Sequence, residues 1–288
     1  MHIPVMMDAN AHDRELWSRI LAEAEQAGRS EPVLAPWIAD CVTSRAGLGD
    51  AVCSLVASLL ATPLASAPLQ SVLHLLVAED AAILSAAGAD IAAVLERDPA
   101  TTKALHVLLH AKGFLAIQAH RFANALWKTD RRELALHLQG RASRAFQVDI
   151  HPAARLGAGI FFDHAIGIVI GETSVVENNV SILQNVTLGG TGKETGDRHP
   201  KVRHGVLIGA GATILGNIEI GANARIGAGS VVLKPVAPGA TVAGVPARVL
   251  RRDRSVEPFR TMDQVFDGGQ SARDVAPISP ISSFGFSS

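Results

Sequence analysis

The stretch "IGAGATILGNIEIGANARIGAGSVV", residues 208–232, decides the fold. Ile208, Ile214, Ile220, Ile226 and Val232 recur at intervals of six, and most are followed by glycine or another small residue. A unit of six is one short strand and one tight turn. The aliphatic side chain points into a narrow core, and glycine permits the backbone conformations that a tight corner demands. Three units close a triangular coil, and stacked coils form a parallel β-helix whose outer rungs need caps. Strands of an ordinary sandwich would not keep so strict a period for so long.

Upstream, the same period begins near Asp149. Ile150, Leu156, Phe162 and Ile168 lie six apart, the register slips by two, and Ile170, Val176, Ile182 and Leu188 resume it. The spacing carries no handedness; hexapeptide β-helices are known as left-handed, against the usual right-handed crossover rule. Two features break the run. "FFDHAIGIVIGE", residues 161–172, inserts Asp163 and His164 among small and aliphatic residues. "GGTGKETGDRHPKVRHGVL", residues 189–207, is too polar for regular rungs and reads as a loop leaving a rigid rod, a good place for binding chemistry.

Residues 1–147 have a different grammar. "DRELWSRILAEAEQAG" puts Leu16, Trp17, Ile20, Leu21 and Ala24 on one helical stripe, with Gly28 as a C-terminal stop. In "ADIAAVLERDP" Ile91, Val94 and Leu95 share a face, and Pro99 sets a helix boundary at Asp98. The expected fold class is therefore α+β. A helical unit over 1–147 precedes a left-handed parallel β-helix over 148–254, and the Ser/Pro/Gly-rich residues 255–288 form a disordered tail.

Composition narrows the function. Twenty-six Lys and Arg nearly cancel 27 Asp and Glu, with no long basic run, which argues against nucleic acid or an anionic membrane as partner. The uncharged residues 51–69 contain Pro63 and Pro68, so a buried helix ending near Thr62 is preferred to a membrane span. Cys41 and Cys53 lack metal-ligand spacing, and the N-terminus lacks a signal-peptide pattern; a cytoplasmic setting is expected.

Taken alone, Asp163 and His164 read as solvated residues, Asp98 as a helix-end residue, and Arg198 as a loop charge. Their setting alters this. "RDPA" (97–100), "DIHP" (149–152), "DHA" (163–165), "GET" (171–173), "GGTGK" (189–193), "DRHP" (197–200) and "GVPARVL" (244–250) occur in that order, behind a helical half of about this size. The chain from about residue 13 to 255 resembles the serine O-acetyltransferases. The resemblance implies transfer of acetyl from acetyl-CoA, the co-substrate, to the hydroxyl of L-serine, with no metal.

Motif by motif, the resemblance makes His164 the general base and Asp149 its orienting partner. It assigns Asp98, Asp163, Arg198 and His199 to the amino acid, with Glu172 in lesser support. Gly190, Thr191, Ala210, Ala228 and Arg248 match coenzyme A positions. The residue types suit the chemistry. Histidine, with an ordinary pKa of about 6.5, can take the hydroxyl proton near neutrality, and an arginine can fork onto a carboxylate. The resemblance also implies a trimer or a hexamer of paired trimers, a site shared between subunits, and inhibition by L-cysteine in the serine position. Docking to O-acetylserine sulfhydrylase through a C-terminal isoleucine does not fit, because the chain ends "SFGFSS" with Ile278 and Ile281 internal. Two other readings stay open: acylation of a different hydroxyl, such as a sugar or homoserine, and a γ-class carbonic anhydrase-like zinc site of His164, His199 and His204.

Overall fold

The computed structural model describes residues 9–61, 65–253 and 257–265. Its first half is helical: α1 (Ala9–Ser30), α2 (Ala35–Ile38), α3 (Leu48–Leu60), α4 (Ser66–Glu79), α5 (Ala82–Arg97), α6 (Ala104–His110), α7 (Lys112–Lys128) and α8 (Arg132–Phe146). Leu16, Ile20 and Ala24 are the buried stripe of α1. Gly28 does not stop that helix. It lies inside it, where its small size lets α1 approach Ala35, and the helix ends at Ser30, before Pro32. Helix α5 ends as expected, at Arg97 with Asp98 as its C-cap, because Pro99 disfavours helical backbone in the residue before it. No single helix among the described residues is long and apolar enough to cross a membrane.

The second half winds through three parallel sheets. The first coil holds β1 (Asp149–Ile150), β2 (Arg155–Leu156) and β3 (Phe161–Phe162), and the second β4 (Val169–Ile170), β5 (Val175–Val176) and β6 (Ser181–Ile182). The third holds β7 (Thr187–Gly189), β8 (Lys201–Val202) and β9 (Leu207–Ile208), and the fourth β10 (Thr213–Leu215), β11 (Glu219–Ile220) and β12 (Arg225–Ile226). β13 (Val231–Val232) and β14 (Ala240–Gly244) follow, and β15 (Ala247–Arg252) turns back antiparallel on β14 to close the stack. Every third strand stacks: β1-β4-β7-β10-β13 form the first sheet, β2-β5-β8-β11 the second, and β3-β6-β9-β12-β14-β15 the third. Ile170, Val176, Ile182, Leu188, Val202 and their successors are the buried column the six-residue period anticipates.

Register relocates the slip. Ile150 pairs with Ile170 and Ile170 with Leu188, so Ile168 is not a rung. It is fully buried two positions earlier, in an inner layer with Val148 and Val186. Most corners take four residues, but the one between β3 and β4 takes six, 163–168. The two extra residues lie at Asp163–Ala165 itself, not beyond it; counting in sixes from Ile150 ran straight through the enlarged corner. The longer excursion, 190–200, leaves the corner between β7 and β8.

Helices α5 and α7 grip the first coil. Asp90, 1% exposed, accepts the Ile160 amide at 2.8 Å and pairs with Arg121, which also donates to the Gly157 carbonyl. Arg97 donates to the Gly159 carbonyl at 2.9 Å. Gly113 at the start of α7 lies against the Phe162 backbone, where a Cβ would fall 2.2 Å from the carbonyl oxygen. Part of the expected tail is structured. Residues Pro258–Thr261 form a helical turn, α9, whose Phe259 is 5% exposed beneath the Arg97 guanidinium and whose carbonyl accepts the Ser181 hydroxyl. A single turn has no period by which a sequence pattern could reveal it. Residues 266–288, with Ile278 and Ile281, lie outside the described residues.

Candidate active site

The enlarged corner between the third and first sheets carries Asp163 and His164. The Asp163 amide still bonds the Ile182 carbonyl, so the strand order holds up to this residue. His164 and Ala165 then both take left-handed backbone, φ 54° and 63°. Two successive non-glycine residues there cost on the order of 1–2 kcal/mol each, and such strain concentrates at functional sites. The bend pushes the imidazole outward, 75% exposed, with Nε2 3.8 Å from Asp163 Oδ1.

Asp98 reaches this corner from the end of α5. Its oxygens accept the Ala100 amide at 2.9 Å and the Thr101 hydroxyl at 2.6 Å, which orients the carboxylate. Burial raises the Asp163 pKa, the negative charge of Asp98 raises it further, and His164 opposes both. Two carboxylates set against each other favour a cation. Asp149 lies at the start of β1 and accepts the Gln139 side-chain amide at 2.7 Å. Within one chain its carboxylate does not come within ion-pair reach of His164; among the described residues, Asp163 does.

The next corner, between the first and second sheets, holds Glu172, Arg198 and His199. The Arg198 guanidinium meets Glu172 at 2.6 Å, and that hydrogen bond holds the Glu172 carboxyl below its ordinary range. His199, 7% exposed, lies over Gly171, where a Cβ would fall 2.1 Å from the ring. Burial, then the Arg198 charge, lowers its pKa. Thr173 ties these parts together, its hydroxyl oxygen accepting the amides of Arg198 and His199 at 3.0 and 3.1 Å.

The coenzyme A candidates divide the same way. Gly190 and Thr191 open the long loop at the second corner. Ala210 and Ala228 stack in successive coils on the His164 corner, where the Gly229 amide bonds the Ala210 carbonyl at 2.8 Å. Arg248 is exposed on β15, opposite Ala243. His204 lies at the third corner, its amide on Glu177, so His164, His199 and His204 occupy three different corners of one chain. No group of three potential metal ligands occurs among the described residues.

Thr173, Gly171 and Gln139 escaped the sequence reading. Thr173 stood in plain view inside "GET", beside the glutamate that drew attention. Gln139 had no signal, being one of several polar residues on α8.

A helical unit capping a rod of six-residue coils, with an acid–histidine corner and a polar loop, defines a transferase of the hexapeptide-repeat class. Three family models match: "Serine acetyltransferase, N-terminal" over residues 16–119, "Hexapeptide repeat of succinyl-transferase" over 154–184, and "Bacterial transferase hexapeptide (six repeats)" over 199–234. The chain belongs to the serine acetyltransferase family. It is 52% identical over 255 residues to the serine acetyltransferase of Haemophilus influenzae, covering 88% of this chain and 96% of that one. Among solved structures, a serine acetyltransferase in complex with cysteine superposes with a TM-score of 0.87 at 51% identity, covering 88% of this chain and 99% of its own. The Brucella abortus enzyme in complex with coenzyme A gives 0.81 at 49%, covering 83% and 96%.

Proposed function

We propose that the chain transfers acetyl from acetyl-CoA to the hydroxyl of L-serine, giving O-acetyl-L-serine and CoA. The observation that carries this reading is the meeting of Asp98 and Asp163 beside the outward imidazole of His164. The paired carboxylates receive the substrate ammonium, which relieves their repulsion. Arg198 and His199 receive its carboxylate. His164 takes the hydroxyl proton as the oxygen attacks the thioester carbon, the C–S bond breaks, and the thiolate leaves to be protonated. Asp149 orients the imidazole, with acceptor capacity left beside its bond to Gln139. Glu172 keeps Arg198 extended.

The two halves of this site lie on different corners of one rod. A threefold assembly, in which the first corner of one subunit faces the second corner of the next, completes it and encloses coenzyme A between Ala210 and Ala228 on one side and Gly190 and Thr191 on the other. Arg248 meets a phosphate. Helical units over 1–147 would pair such trimers into hexamers, leaving the rods over 148–254 to catalyse. L-cysteine, which has the ammonium and carboxylate of serine, competes in the same place; the cysteine complex of a relative supports this. Both cysteines of the chain are buried and unpaired, as suits the cytoplasm.

Coenzyme A release with L-serine, beside homoserine and sugar acceptors, tests the reading. Serine should be strongly preferred, with L-cysteine competitive against it. His164→Ala should lower kcat by roughly a hundredfold or more. Near-normal turnover in that variant would refute the general-base role.

A further inference from the structure

The contacts of Thr173 determine more than the position of His199. Its backbone amide donates to His199 Nδ1 at 3.2 Å, and its hydroxyl oxygen lies 2.9 Å from the same nitrogen. A backbone amide can only donate, so Nδ1 must present its lone pair, and a neutral imidazole then carries its proton on Nε2. The hydroxyl agrees. Both its lone pairs accept amides, from Arg198 and His199, which leaves its proton free to point at Nδ1. The Lys201 ammonium, on the Thr173 carbonyl at 2.9 Å, holds the turn from the other side.

We propose that Thr173 is a positioning residue that locks His199 in the neutral Nε2–H tautomer, so that His199 meets the substrate as a hydrogen-bond donor and takes no part in proton removal. The inference rests on the serine acetyltransferase reading for the identity of the substrate, but not for the tautomer. Protonating Nδ1 would set one N–H against another. The charged groups around the ring reinforce this: Arg198 and Lys201 on the loop side and His151 from the first coil oppose a positive charge, and Glu172 alone favours it. Fixed neutral, His199 leaves His164 as the group free to gain and lose a proton during turnover.

Nitrogen-15 spectra of the full-length protein with labelled histidine, at neutral pH, test this directly. The His199 signals are assigned by their loss in His199→Gln. Nε2 should be protonated and Nδ1 bare, in Thr173→Ser as in the parent. Thr173→Val loses the hydroxyl that anchors the two loop amides; His199 should then titrate nearer the ordinary histidine value of about 6.5. The serine KM should rise about tenfold, as for a lost hydrogen bond to a charged group, with the acetyl-CoA KM little changed. His199→Gln, whose amide can stand in for Nε2–H, should retain more serine affinity than His199→Asn. A parent protein carrying the proton on Nδ1, or an imidazolium at neutral pH, overturns the proposal whatever Thr173→Val does. An unchanged titration and serine KM in Thr173→Val would remove Thr173 from it. Absence of serine acetylation would defeat the functional reading and leave the tautomer measurement intact.

Discussion

Asp98 and Asp163 come from different halves of the chain, yet each acts on the ionisation of the other's site. The Thr101 hydroxyl and Ala100 amide aim the Asp98 carboxylate, and both contacts survive when an oxygen is replaced by an amide nitrogen. Asp98→Asn should therefore fold normally and lose only the charge. A hydrogen bond between charged groups contributes about 1.5–3 kcal/mol, so the serine KM should rise roughly ten- to hundredfold with the acetyl-CoA KM unchanged. Steady-state kinetics with each substrate varied checks this. The histidines show how far residue type alone misleads. His164 and His199 look alike in sequence, but one stands out from a strained bend while the other lies under a threonine, over a glycine. Motif context singled out both; only their hydrogen-bond partners distinguish a base from a donor.

At the scale of elements, the six-residue period was legible throughout because every coil repeats the same demand, one aliphatic inward at each strand. What repetition could not reveal lies where it fails. The enlarged corner was counted two positions late, since a slip shows only once the next strand resumes. The turn at Phe259 was missed because one turn against Arg97 leaves no pattern. The joint between α7 and the first coil was equally silent, and it carries a pH signature. His120, 5% exposed on α7, has its pKa driven down to about 3 by burial, then by the Arg121 charge. Unfolded, it would titrate near 6.5, so between about pH 3 and 6.5 the unfolded chain binds the extra proton, and stability falls as pH falls. Lowering the pH from 7 to 5 should cost about 2 kcal/mol through this residue alone. Denaturant unfolding at the two values measures it: His120→Gln should show a loss smaller by about that amount, and equal losses would contradict it.

The whole molecule keeps two half-sites on separate corners, and that arrangement predicts a pattern of complementation. His164→Ala damages the first corner and His199→Ala the second. In trimers assembled from equal amounts of the two variants, a site is intact when an undamaged first corner faces an undamaged second corner. With random assembly about one quarter of sites qualify. Denaturing and refolding the two inactive variants together should thus restore about a quarter of parental activity, whereas refolding either alone restores none. A site held within one chain would recover nothing in the mixture.

The seam between helices and rod has a mechanical consequence. Asp98 is fixed to the last turn of α5 and Asp163 to the first coil, so an ammonium group held by both is a removable rivet between two bodies that otherwise repel at that point. Substrate would then stiffen the enzyme across its own joint. Amide exchange in the last turn of α5 and in residues 163–168 would slow together when serine binds, and serine lacking its amino group would leave the joint as loose as before.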